Sequence, residues 1–229
     1  MTFAPLIGIR AAHSFFALVR DPRNLDDVLD LSDRIAEAEQ IEDKLAELNP
    51  ALAEAAKDAP EWAPRPPAEL RELPDGTLGR EYARFMDDHG LTPEALDRAP
   101  GDGDIERFRA NMRGSHDLWH VATGWTPDLL GELGLQAFYL AQLRVPFPAV
   151  ILAGGLLHTV WKRREHFYEI VDAIAEGWRQ GMEAEALMTV DWNDWMELPV
   201  EQVRERLGIA AARRRPAPVI PLIDVPSAA

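Results

Sequence analysis

Wherever the chain shows a period, apolar residues recur at three- and four-residue spacing, the repeat of one helix face, and no alternating run bounded by hairpin turns interrupts them. The pattern predicts helices over residues 9–20, 24–48, 77–89, 104–122, 127–143, 149–161, 163–187 and 199–207. Local punctuation agrees with it. Thr92 with Pro93, and Thr126 with Pro127, each read as a capping hydroxyl followed by proline at the first helical position, where a missing N–H costs nothing. Gly90 and Gly208 stand where a left-handed residue closes a helix. Residues 60–74 hold five prolines and read as a loop or crossover. The fold class expected is all-α: a single multi-helix domain over residues 1–209, then an extended or mobile Pro-rich tail, 210–229, that carries Arg213, Arg214 and Arg215.

Charge narrows the partners. Lys and Arg total 24 against 39 Asp and Glu, a net charge of −15, and residues 26–58 alone place eleven acids against Arg34, Lys44 and Lys57. Such a surface repels phosphate backbones, so nucleic acid is excluded as a partner, and the acidic run reads as a solvated face. With no cysteine, the chain has no disulfides, no thiolate metal ligands and no Cys nucleophile. The most apolar run, residues 145–157, contains Pro146 and Pro148 and is shorter than the roughly 18 to 20 residues that a spanning helix needs. The opening MTFAPLIGIR has neither the basic start of a secretory signal nor the Arg/Ser-rich pattern of an organellar leader. A cytoplasmic location follows as the expectation.

One segment concentrates chemistry. GSHDLWHVATGWTPDLLGE puts His116, Asp117 and His120 on one helix and Glu132 on the next. At about 100° per residue, His116 and His120 lie roughly 40° apart and Asp117 roughly 60° from His120, so the three share one arc. Glu132 falls on the sixth residue of the helix predicted from residue 127, with Gly131 and Gly134 beside it to permit a close approach. Two imidazoles and two carboxylates suit Zn²⁺, Fe²⁺ or Mn²⁺ and would leave a dication roughly neutral. The same residues also suit a salt-bridged helix face, and spacing alone does not separate the two.

Elsewhere the ordinary reading of each feature is structural. His13, His89, His158 and His166 are isolated and read as packed or solvated side chains. Gly177 and Gly181, in GWRQG, let one helix approach another. Trp119, Trp125, Trp161, Trp178, Trp192 and Trp195 read mostly as core, with some available to line an apolar cavity. The run Lys162, Arg163, Arg164 reads as a wet helix face, with a lipid phosphate as the alternative it could meet.

At HDLWH and Glu132 the sequence resembles the Coq-four family of ubiquinone biosynthesis proteins, small helical metal proteins with an HDxxH motif and a Glu after eleven further residues. LPDGTLGREYARFM at 73–86, VRDPRN at 19–24 and GWRQGMEAEALMTVDW at 177–192 carry the same resemblance, which spans about residues 15–209. It implies a zinc site built from His116, Asp117, His120 and Glu132. It also implies an enzyme, a metal-dependent carbon–carbon lyase that removes the C1 carboxyl of a polyprenylated hydroxybenzoate, with or without hydroxylation at that carbon. Asp117 or Glu132 would relay the proton that replaces CO2. A prenyl tail needs an oily groove, expected around Phe138, Tyr139, Val150, Ile151 and Leu156, opening at the inner face of a membrane to which the protein is peripheral. A homodimer and other ubiquinone-biosynthesis enzymes are the further expected partners. The alternative is a noncatalytic lipid-binding scaffold that presents prenylated precursors to other enzymes. A third reading, an HD-type metal phosphohydrolase, rests on the His116 and Asp117 pair alone.

Overall fold

The computed structural model describes residue 47, residues 49–57, residue 60 and residues 65–92 and 104–209. Among these the chain is all-helical: α1 Pro50–Lys57, α2 Pro67–Arg71, α3 Leu78–His89, α4 Asp104–Gly114, α5 His116–Thr123, α6 Leu129–Leu143, α7 Pro146–Lys162, α8 Phe167–Glu183, α9 Trp192–Trp195 and α10 Val200–Leu207. Short 3-10 turns occupy Arg164–His166 and Leu187–Thr189, and a single isolated bridge joins Thr77 to Pro199. The expected helix over 9–20, nearly all of 24–48, the Thr92 with Pro93 cap, His13 and the tail 210–229 lie outside the described residues.

The described residues group into two compact units. One holds residues 47, 49 and 128–182, the other residues 50–57, 60, 65–92, 104–127 and 183–209. In the first, glycines set the helix spacing. A Cβ built on Gly177 of α8 would stand 1.9 Å from the Gly134 carbonyl oxygen of α6, and one on Gly181 would stand 2.7 Å from that of Phe138. Only hydrogen fits there, as the GWRQG segment led us to expect, and the Gln142 amide donates to the Gly181 carbonyl at 2.8 Å. Gly134 therefore serves the α6–α8 contact.

In the second unit α3 shows how local sequence sets an element. Thr77 caps its start by accepting the Arg80 N–H, and Gly90, at φ 63°, closes its end. Leu78, Tyr82, Ala83 and Met86 form its buried stripe. Arg71 of α2 grips the Asp87 carboxylate with two hydrogen bonds, at 2.9 and 2.6 Å, and this bond holds the carboxyl below its ordinary range.

Several boundaries differ from expectation for physical reasons. The helix expected over 104–122 is two helices, because Gly114 and Ser115, a pair that bends helices, interrupt it and Ser115 takes up φ −87°, ψ −1°. The helix expected from 127 starts at Leu129: the Asp128 carboxylate accepts the Gly131 N–H at 2.8 Å and displaces Thr126 as the cap, so Glu132 is the fourth helical residue. Pro146 and Pro148 open α7, where first-turn N–H groups have no intrahelical acceptor and proline's missing N–H costs nothing. The expected 163–187 helix is trimmed to Phe167–Glu183 between two 3-10 turns, and the Pro-rich 60–74 segment contains α2. Trp119, Trp125 and Trp192 are core, whereas Trp161 and Trp178 are exposed, contrary to the core reading of them. Phe138 and Tyr139 are buried in the first unit, and Val150, Ile151 and Leu156 are half-buried.

Candidate metal centre

Helix α5 is short but held firmly. Leu118 and Trp119 are fully buried, and the Trp119 indole N–H donates to Ser115 Oγ at 3.1 Å, so the residue that breaks the longer helix also anchors its continuation. Gly124, at φ 81°, ends α5 with its N–H on the His120 carbonyl at 2.7 Å. The last carbonyls need donors, and Arg204 of α10 supplies them: its guanidinium reaches the Ala122 carbonyl at 2.9 Å and that of Val121 at 3.0 Å.

On this frame His116, Asp117 and His120 converge, as their spacing led us to expect: one ligand atom from each lies within 4.8 Å of the others. The His116 and His120 Nε2 atoms are 3.2 Å apart. His120 is almost wholly buried, and its Nδ1 lies 3.0 Å from the Trp125 carbonyl, an acceptor only. Nδ1 must therefore carry the proton, which leaves the Nε2 lone pair of a neutral ring turned toward His116. Two imidazole lone pairs repel at that distance unless a proton or a cation lies between them. A tetrahedral cation with nitrogen ligands at about 2.05 Å places those ligands about 3.3 Å apart, close to the separation found.

The donor set therefore fits the divalent ion that the sequence led us to expect, with Asp117, half-buried, supplying a carboxylate beside the rings. Glu132, the fourth expected ligand, belongs to the other unit, half-buried in the first turn of α6 with its N–H on the Asp128 carbonyl. Among the remaining histidines, His89 is exposed with Nδ1 2.7 Å from the Phe85 carbonyl, His158 is buried and His166 half-buried.

Sequence reasoning missed two parts of the centre. Phe85 of α3 stacks on the His120 ring, centroids 5.4 Å apart and planes 21° from parallel, and His89 lies against the other partner of that contact, 4.7 Å from the Phe85 ring. The Trp125 carbonyl fixes the His120 tautomer. The first is a contact between residues far apart in the chain and the second a backbone atom, so neither leaves a spacing signal.

Residues 11–213 match the family model described as coenzyme Q (ubiquinone) biosynthesis protein Coq4. Among curated relatives, the chain is similar to the mitochondrial ubiquinone biosynthesis protein COQ4 homolog of Nematostella vectensis, 34% identical over 153 residues that cover 64% of this chain and 72% of that one. It is also similar to mitochondrial coq4 of Talaromyces stipitatus, 31% identical over 144 residues covering 62% of this chain and 49% of the relative, so it spans about half the length of that fungal protein. A crystal structure from Nostoc punctiforme superposes with a TM-score of 0.76 at 29% identity, covering 91% of this chain and 99% of that one. The relatives' names place those proteins in mitochondria and lend no support to the cytoplasmic location expected from the sequence. No helix among the described residues is long and apolar enough to cross a membrane.

Proposed function

The chain belongs to the Coq4 family of coenzyme Q (ubiquinone) biosynthesis proteins, and from that premise we propose that it removes the C1 carboxyl group of a polyprenylated hydroxybenzoate. The observation that carries this reading is the convergence of the His116 and His120 Nε2 atoms, 3.2 Å apart, beside Asp117. His116, Asp117 and His120 are the residues that would hold a divalent cation, zinc by the sequence resemblance. When bound, the cation supplies Lewis-acid polarisation of the ring's carboxylate or phenolate.

The remaining chemistry falls to the chain. The C1–carboxyl bond breaks, its electron pair stays on C1, CO2 leaves and a proton takes its place. Asp117 is the group proposed to hand over that proton once its carboxylate has let go of the cation: it is half-buried, so solvent can supply the proton, and it adjoins the rings. His120 cannot share the task while its Nδ1 proton is committed to the Trp125 carbonyl, so its role is to hold. Buried as it is, and stacked on Phe85, it also keeps water from that side of the centre.

The test is turnover. Metal-loaded full-length protein given a polyprenylated hydroxybenzoate is expected to yield the decarboxylated ring by mass spectrometry, with His116→Ala lowering the rate roughly 100-fold or more. Equal turnover by the metal-free protein or by His116→Ala would overturn the proposal. Retained binding of the prenylated ring with no turnover would favour the scaffold reading instead.

A further inference from the structure

Helix α5 ends in a turn that comes back to touch one of the helix's own candidate ligands. Gly124, at φ 81°, reverses the chain, and its N–H donates to the His120 carbonyl at 2.7 Å. One residue on, the Trp125 carbonyl lies 3.0 Å from His120 Nδ1. His120 is thus held twice by the turn that follows it, through its backbone and through its ring. The stack on Phe85 sets the plane of that ring, but a flip that exchanges its two edges would leave the stack intact. Only the bond to the Trp125 carbonyl distinguishes one edge from the other, so the direction of the ring depends on where the Trp125 backbone sits.

Thr123 ties that backbone down. It is 1% exposed, and its hydroxyl donates to the Trp119 carbonyl at 2.6 Å and accepts the Trp125 N–H at a long 3.5 Å. One buried oxygen therefore joins the body of α5 to the residue whose carbonyl meets His120. The carbonyls between them are engaged as well, those of Val121 and Ala122 by Arg204, which opposes unwinding of the last turn.

We propose that Thr123 is a positioning residue of the candidate metal centre: its hydroxyl sets the Trp125 carbonyl where it selects the Nδ1–H tautomer of His120, and so leaves the Nε2 lone pair turned toward His116. A threonine near a helix end commonly bonds the carbonyl four residues back and does nothing more. The second bond, to the Trp125 N–H, takes Thr123 beyond that role, because it falls on the segment whose carbonyl reaches a ligand ring. A ligating imidazole takes its tautomer and direction from the acceptor on its other nitrogen. Here that acceptor is main chain, so a side chain has to hold the main chain in place. The inference rests on reading His116, Asp117 and His120 as metal ligands, but its first readout needs no metal.

The experiment compares the full-length wild type with Thr123→Val, which keeps the shape of the side chain and loses the hydroxyl, and with Thr123→Ser, which keeps the hydroxyl. Long-range 1H–15N NMR of the metal-free proteins, at a pH where imidazoles are neutral, reads the His120 tautomer, its signals assigned by their absence in His120→Gln. Wild type and Thr123→Ser are expected to show Nδ1–H alone, and Thr123→Val a mixture with Nε2–H. Calorimetric titration with Zn²⁺ is expected to show affinity lowered roughly 10-fold in Thr123→Val and close to wild type in Thr123→Ser. The proposal is overturned if Thr123→Val keeps the single Nδ1–H tautomer, even with a lower melting temperature, because the hydroxyl then serves stability alone. It is also overturned if Thr123→Ser shows the same mixture as Thr123→Val, or if zinc affinity is unchanged in a Thr123→Val chain whose tautomer has shifted. Where circular dichroism shows Thr123→Val unfolded, Thr123→Ala takes its place. If wild type takes up no zinc, the reading of the centre falls, while the tautomer comparison still decides the role of Thr123.

Discussion

At Gly177 a single methyl group decides whether two helices can meet. Its Cβ would fall on the Gly134 carbonyl, a backbone atom that cannot turn aside. Gly177→Ala is therefore expected to destabilise the protein by about 1–3 kcal/mol, the usual cost of overpacking, seen as a lower denaturant midpoint at unchanged slope. A midpoint within error of wild type would show that α6 and α8 are not in this close contact. The role of this glycine was legible in GWRQG because small residues four apart mark one helix face. His116, Asp117 and His120 were legible for the same reason, since helical spacing alone puts them on one arc. Phe85 was not legible: nothing in its own neighbourhood says that it covers His120. Nor was the exposure of Trp161, because large aromatics are ordinarily core and only tertiary packing decides which are left outside.

Between elements, the short α5 depends on α10. Arg204 satisfies the Val121 and Ala122 carbonyls and pairs with Glu201 at 2.6 Å. Arg204→Met keeps much of the side-chain stem and removes the donors, so it is expected to cost about 1–2 kcal/mol in thermal or denaturant unfolding. Glu201→Gln, whose carboxylate is mostly exposed, is expected to cost well under about 1 kcal/mol. Equal effects from the two variants would mean that the surface ion pair, not the capping, is what Arg204 contributes. Helix existence was readable for 77–89, 127–143, 149–161 and 199–207, because their apolar stripes are long or their caps are strong. Boundaries were misjudged where two local signals compete. Asp128 outranks Thr126 as a cap, and Gly114 with Ser115 breaks a stripe that is otherwise continuous. Helices α2 and α9, of five and four residues, are too short for a period to show.

For the molecule as a whole, function turns on whether one cation sits among side chains that the sequence brings together on α5. Family membership and the all-helical fold of the described residues agree with the resemblance read at HDLWH and Glu132. The direct measurement is calorimetric titration of the chelator-treated full-length chain with Zn²⁺, together with elemental analysis of the dialysed product. About one zinc per chain is expected for wild type, binding lost in His116→Ala and His120→Ala, and affinity reduced roughly 10–100-fold in Asp117→Asn. No binding by the wild-type chain, or binding that survives unchanged in His116→Ala and His120→Ala, would contradict the account.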